Sequence, residues 1–149
     1  MLTATHTPTI RHFQPSDLDV LVNRDGPQIP KSVILLQASA GPSFTAVADG
    51  MVLGCAGLVL PWPGIGMAWM VLAEEMGPHG LWLTKTVKAF LHQMVQTHSL
   101  HRLEAVATFG SLRNQRWLDA LGFHVEQRGV AQSFLADRQS VIRYEWVKD

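Results

Sequence analysis

The sequence predicts an α/β protein, α+β mixed in character: a mixed, mostly antiparallel six- to seven-stranded sheet flanked by about four helices. Three observations carry this. Short stretches alternate apolar and polar residues at the two-residue period of strands, while longer ones repeat apolar residues at the helical period. The two kinds follow in the order β-α-α-β-β-β-α-β-α-β-β, which lays helices on the faces of one sheet. Asp49-Gly50, between two apolar runs, is a hairpin signal.

Taken in order, Thr9 to Phe13 alternates as a first strand. Pro15-Ser16-Asp17 marks a helix start, with Ser16 or Asp17 as cap and Leu18, Leu21 and Val22 as its apolar face. Asp25-Gly26-Pro27 breaks it. Val33, Ile34 and Gln37 place a second helix over Pro30 to Ala38. After the Gly41-Pro42 turn, Ser43 to Asp49 and Met51 to Leu60 are the hairpin strands. Pro61-Trp62-Pro63-Gly64 is a stop, and Ile65 to Leu72 is a fourth, apolar strand. Glu74 to Gly80 is a polar, glycine-containing loop. Leu83, Val87, Phe90, Leu91 and Met94 mark the buried face of a long helix from Leu81 to His98. Arg102 to Thr108 is a fifth strand, and Leu112 to Leu121 a short helix closed by Gly122. Phe123 to Gln127 and Ser140 to Val147 complete the strands.

The 149 residues make one domain, 1–149, long enough to bury roughly 70% of the surface the unfolded chain exposes. Hydrophobic residues are 47% and charged residues 16%, which excludes a disordered chain. Twelve basic and twelve acidic residues cancel with no basic run, so no nucleic-acid partner is expected. The longest apolar run, Met51 to Leu60, falls short of the about 20 residues that cross a bilayer, and no signal-peptide core opens the chain. The expectation is a cytoplasmic protein without a membrane partner. Cys55 is the only cysteine, which excludes an internal disulfide; it lies in an apolar strand as a buried, inert thiol. His92, His98 and His101 lack a carboxylate at i,i+4 spacing and a His-Glu-x-x-His pattern, so no metal is expected. The nucleophile elbow of hydrolases and the phosphate loop of nucleotidases are both absent.

Three stretches carry a family resemblance. Ile65 to Thr97 runs strand, glycine-bearing loop, long helix. Arg116-Trp117-Leu118-Asp119-Ala120-Leu121-Gly122-Phe123 ends a short helix in Leu-Gly-Phe, and Asp137 to Val147 closes on an aromatic strand. Together they resemble the GNAT superfamily of N-acetyltransferases. The Trp-Leu and Leu-Gly-Phe pattern is also similar to the GNAT-like proteins of phages and prophages. The resemblance implies the GNAT fold and a slot for the cosubstrate acetyl-coenzyme A between the splayed fourth and fifth strands. Its pantetheine would pair with the backbone edge from Trp69 through Met70, Val71 and Leu72. Its pyrophosphate would lie over Gly77, His79, Gly80 and Leu81, where helix N–H groups and the helix dipole favour an anion. Asn114 would touch the cofactor through its side chain; Ser111 holds the more regular spacing, and Asn114 is alternatively a helix cap. The family's loop reads Gln/Arg-x-x-Gly-x-Gly/Ala. Glu74-Glu75-Met76-Gly77-Pro78-His79 matches it at Gly77, with Glu74 at the Arg/Gln position and Pro78 removing a donor; aligned instead on the helix's apolar face, His79-Gly80 take the Arg-Gly position and Trp82 that of a second glycine.

Acetyl transfer to an amine needs a group that takes the amine's proton. Glu74, Glu75 and His79 are the candidates by chain position, each with a solvated loop residue as the alternative reading. The family's usual acid, a tyrosine on the short helix, is replaced by Leu118, and the one tyrosine, Tyr144, is on the last strand. Trp62, Trp69 and Trp82 line an acceptor pocket or a protein interface, or else pack in the core. The low charge fraction also raises a homodimer. The implied function is an N-acetyltransferase that moves the acetyl group of acetyl-coenzyme A to a primary amine by direct attack in a ternary complex. The acceptor is a small molecule or a protein. Asp17, Asp19 and Asp25 are too scattered to mark a polyamine site. The degenerate loop and missing tyrosine support an alternative, a catalytically inactive GNAT-fold binding or structural protein of phage origin, whose cytoplasm would then be a host's. A third reading is a coenzyme A-binding regulator.

Overall fold

The structure, a computed structural model, describes residues 6–21, 29–108, 112–131 and 141–148, with backbone alone at 106–108, 112, 126–131 and 141. Val22, Asp25-Gly26-Pro27, Ser111 and residues 137–140 of the sequence reading lie outside the described residues or side chains.

Seven strands form one sheet: β1 (Thr9–His12), β2 (Ser43–Ala48), β3 (Met51–Trp62), β4 (Ile65–Leu72), β5 (Arg102–Thr108), β6 (His124–Ala131) and β7 (Val141–Val147). Their order across it is β1-β2-β3-β4-β5-β7-β6. Every neighbouring pair is antiparallel except β4 and β5. Asp49 (φ 53°) and Gly50 (φ 75°) join β2 to β3 in left-handed backbone, the geometry that matches strand twist in a two-residue hairpin. The expected stop at Pro61 comes later: β3 runs through Trp62, which pairs with Ile65, and the turn is Pro63-Gly64. Pro61 is tolerated because the ladder is irregular between Val59 and Trp62, where a missing N–H disrupts no regular pairing.

Helices α1 (Leu18–Leu21) and α2 (Lys31–Ser39) cover one face, and α3 (Gly80–Thr97) and α4 (Leu112–Ala120) the other. On the first face Leu18, Leu21 and Ile34 pack with Cys55 and Ala73, beside Trp69 and Val71. On the second, Leu91, Met94 and Leu118 pack with Leu58, Leu103, Phe123 and Tyr144. Successive strand residues point to opposite faces, so β4 turns Trp69 and Val71 toward α1 and α2 and Ala68 toward α3. Gly122 (φ 97°) closes α4, and the Phe123 N–H returns to the Leu118 carbonyl at 3.0 Å, seating Phe123 in the core.

Two local expectations are corrected. Neither Ser16 nor Asp17 caps the first helix. Gln14 holds that position before a 3₁₀ turn, Pro15–Asp17, and the Asp17 carboxylate accepts the Gln14 N–H at 2.9 Å from inside the turn. Glu74 to Gly80 is not an open loop. Glu74–His79 is a 3₁₀ helix that runs directly into α3 at Gly80, one residue before the expected start. Buried Met76 anchors it against Ala46 and Leu53, an apolar contact that the polar residues around it obscured.

Beneath α1, Asp17 is 3% exposed and fully engaged. Its carboxylate accepts from Arg11 Nη1 at 2.9 Å, Arg11 Nη2 at 2.6 Å and Thr45 Oγ1 at 2.6 Å, besides the Gln14 N–H. Burial pushes the carboxyl up; the bonds from Arg11, Thr45 and Gln14 outweigh it and hold Asp17 below the usual aspartate value. Thr45 also meets Cys55 Sγ at 3.4 Å, and burial pushes that thiol up to about 11. The cluster ties β1, α1, β2 and β3 together.

Candidate active site

The parallel pair opens into a cleft. β4 and β5 are in register only at Ile65 with Arg102, Gly66 with Leu103 and Met67 with Glu104. Beyond that point β4 stays paired to β3 as far as Leu72, and β5 to β7 as far as Thr108. Each strand is held by its outer neighbour while the shared edge parts. From Ala68 to Leu72, β4 therefore presents backbone donors and acceptors toward an opening instead of toward β5. The opening lies at the carboxyl ends of two parallel strands, the usual crevice for ligands in open sheets of this kind.

α3 follows β4 and α4 follows β5, so both helices begin at this mouth. Trp117 Nε1 on α4 donates to Thr84 Oγ1 on α3 at 2.9 Å, and Thr84 donates to the Gly80 carbonyl at 2.9 Å. This bridge ties the start of α3 to the second half of α4, and hydropathy patterning does not reveal it. Leu118 is 8% exposed and Tyr144 2%, both in the α3–α4 core.

The expected residues fall as follows. Met70, Val71 and Leu72 lie on the free edge of β4. Glu74 is exposed, and Glu75 and His79 are half-buried, all on the 3₁₀ turn at the mouth. Gly77 and Gly80 are exposed, and a side chain added at either would meet nothing within 4 Å. The Gly80 N–H is committed to the Gly77 carbonyl. Leu81 is exposed at the start of α3, and Asn114 is exposed in the first turn of α4 beside Arg113. Trp69 packs edge-on to Phe13 at 6.3 Å on the α1–α2 face, while Trp82 packs against the cluster of Ala46, Leu53 and Met76. Trp62, 64% exposed, sits at the far end of the hairpin. Among the described residues the three tryptophans lie in separate places.

One group at the vertex was passed over by sequence reasoning. Glu104 is the only carboxylate on β4 or β5 and belongs to the last β4–β5 pair. Alternation turns Leu103 and Ala105 into the α3–α4 core, so Arg102 and Glu104 face the other side. Arg102 Nε donates to Glu104 at 2.8 Å, and Arg102 Nη1 donates to Glu145 on β7 at 2.5 Å; all three are about a quarter exposed. Arg143 lies two residues along β7 on the same face. Only position could have flagged Glu104: by composition it is one polar residue of an alternating strand.

The fold and its cleft define a class: an α/β protein whose central parallel strands splay beside two helix starts. No family model matches the sequence, and no curated protein matches it. Solved structures do. Ard1 from Thermoplasma volcanium is 14% identical with a TM-score of 0.80, covering 97% of this chain and 99% of that one. The ribosomal-protein-S5-alanine acetyltransferase from Vibrio fischeri is 17% identical with a TM-score of 0.72, covering 99% and 98%. A spermidine N-acetyltransferase variant from Vibrio cholerae is 16% identical with a TM-score of 0.72, covering 95% and 94%. The chain has the fold of the GNAT acetyltransferases.

Proposed function

We propose that this protein is an N-acetyltransferase that takes the acetyl group from acetyl-coenzyme A and passes it to a primary amine in a ternary complex. The observation that carries the reading is the parting of β4 from β5 after Met67 and Glu104. The residues present fit the cosubstrate. Unpaired edge from Ala68 to Leu72 suits an extended amide-bearing arm, and Gly77 and Gly80 leave open space where α3 begins. Against the phosphates, Glu74 and Glu75 are unfavourable charges at the mouth, while Arg113 and Arg116 on α4 supply cations. When bound, acetyl-coenzyme A supplies an activated thioester.

This chain's groups divide by distance. At about 3.3 Å per residue, Glu74 lies on the order of 20 Å along the strand from the Met67–Glu104 vertex. Glu74, Glu75 and His79 thus belong to the phosphate end. Glu104 belongs to the end where the strands meet, on the face that α3 and α4 leave free. We assign Glu104 the amine's proton, received directly or through water, with Arg102 fixing the carboxylate and Glu145 completing the ion network.

Calorimetric titration with acetyl-coenzyme A and desulfo-coenzyme A tests the cofactor reading. The expected result is micromolar binding, about −8 kcal/mol, lost in Gly80→Glu, a change that adds charge at an open position. An absence of heat and of thermal shift at millimolar ligand refutes it. If binding holds, Glu104→Gln lowers kcat by about 100-fold or more with cofactor affinity unchanged; an unaltered rate moves the proton acceptor elsewhere. One observation favours a second reading, a GNAT-fold binding or structural protein without catalysis. Leu118 and Tyr144 are both sealed in the core, so neither position offers a proton to a leaving thiolate. Cofactor binding with no turnover across an amine panel supports that reading.

A further inference from the structure

On the α3 face, away from β5, a cavity of about 500 Å³ separates the helix from strands β1 to β4. Ala46 pairs with Gly54 across β2 and β3, and Ala56 lies two residues along β3 on the same face, so the sheet surface is low between Phe44 and Met70. Phe44 meets Phe90 edge-on at 5.3 Å and props α3 above it. Exposed Lys85, Ala89, Ile10 and Leu72 rim the cavity, so it is an apolar hollow open to solvent rather than a sealed void. Its volume lies within the roughly 300–1,000 Å³ of small-molecule sites, which are mostly apolar with a few polar groups fixing orientation.

The lining chemistry selects the ligand. The walls are aliphatic and aromatic, with Thr86 and Gln93 as neutral polar groups. Among the described residues Lys85 is the only charged group in the lining; it is exposed, and no carboxylate accompanies it there. A lysine at such a rim lays its apolar stem along the wall and keeps its ammonium in water. We infer that this cavity binds a small amphipathic carboxylate, its aliphatic chain or aromatic ring on the Ala46–Gly54–Ala56 floor and its carboxylate at Lys85. The cavity shares Met70 and Leu72 with the cleft's β4 edge but lies beneath the sheet on its α3 face, whereas the cleft opens toward β5; the inference does not rest on acetyl transfer.

The test is calorimetric titration of the full chain with decanoate, with decanol and decyltrimethylammonium as charge controls. Two variants at exposed positions accompany it: Lys85→Gln, which removes the cation, and Ala89→Trp, which fills the rim. The expected result is decanoate binding with a Kd on the order of 10–100 μM, weakened about tenfold in Lys85→Gln and lost in Ala89→Trp with an unchanged Tm. The cationic control binds at least about tenfold more weakly than decanoate. Three results overturn the inference: no heat and no thermal shift with millimolar decanoate, equal affinity for the cationic and anionic chains, or decanoate binding unaltered in either variant.

Discussion

Replacing Asp17 with Asn removes the charge at the centre of the α1 cluster while keeping the side chain's shape. Four donor atoms converge on the two carboxylate oxygens. Asn offers one acceptor oxygen and turns an NH₂ toward the guanidinium fork. A charge-assisted bond is worth about 1.5–3 kcal/mol, and breaking a fully buried pair costs about 3–5 kcal/mol. Arg11 is 38% exposed and regains water once released. Thr45 turns its hydroxyl to accept from the new amide. The lower part of the range applies, about 2–3 kcal/mol, a Tm about 4–12 °C below wild type for a chain of this length. The pH dependence has a fixed sign. The folded-state pKa of Asp17 lies below its unfolded value, so its contribution is full above the unfolded value, near 4, and is lost as pH falls through the folded one. The Tm gap between wild type and Asp17→Asn is therefore widest at neutral pH and narrows as pH falls below about 4. Calorimetric scans from pH 7 to pH 3 measure it. A gap that stays constant across that range, or one under about 1 °C at pH 7, refutes the account.

Other outcomes follow from the same geometry. Cys55, 1% exposed with a thiol pushed up to about 11, resists iodoacetamide in the folded protein and reacts only as fast as the chain opens, as mass spectrometry will read. Labelling at the rate of a free cysteine contradicts that burial. Trp117→Phe removes the indole bond to Thr84, lowering stability by about 1 kcal/mol and Tm by about 2–4 °C. It also weakens acetyl-coenzyme A binding if the α3–α4 bridge shapes the mouth; a thermal change with unaltered affinity separates the bridge from the site.

Most of the architecture was legible because it rests on period and punctuation. Ile65–Leu72 and Arg102–Thr108 match their expected bounds, and Asp49-Gly50 makes the hairpin turn its residues prefer. The misreadings share a cause: tertiary contacts overriding local residue preference. Pro61 continues a strand because the partner ladder is irregular there. Glu74–His79 becomes helical although it holds Gly77 and Pro78, because Met76 gains a buried place against Ala46 and Leu53. Gln14 caps the first turn because Asp17 is drawn inward by Arg11 and Thr45, a contact set by β1 and β2 together.

The candidate site was less legible because its central element is an unpaired backbone edge, and an edge has no side-chain signature. Any residues could stand from Ala68 to Leu72 and leave the same N–H and C=O groups toward the opening. What creates the opening is the point at which Met67 and Glu104 end a parallel ladder, a property of register between segments far apart in the chain. The same register gives Glu104 its place. Alternation along β5 says only that Glu104 and Leu103 face opposite ways; the pairing with Met67 puts the one carboxylate of the two strands at the vertex, on the face free of α3 and α4. The chemical role follows from that neighbour, so moving the carboxylate tests the argument more sharply than deleting it. A glutamate at Met67, the partner of Glu104 in that pair, in a Glu104→Gln background keeps a carboxylate at the vertex and restores part of the turnover in a steady-state assay; a rate no better than that of Glu104→Gln alone refutes the assignment.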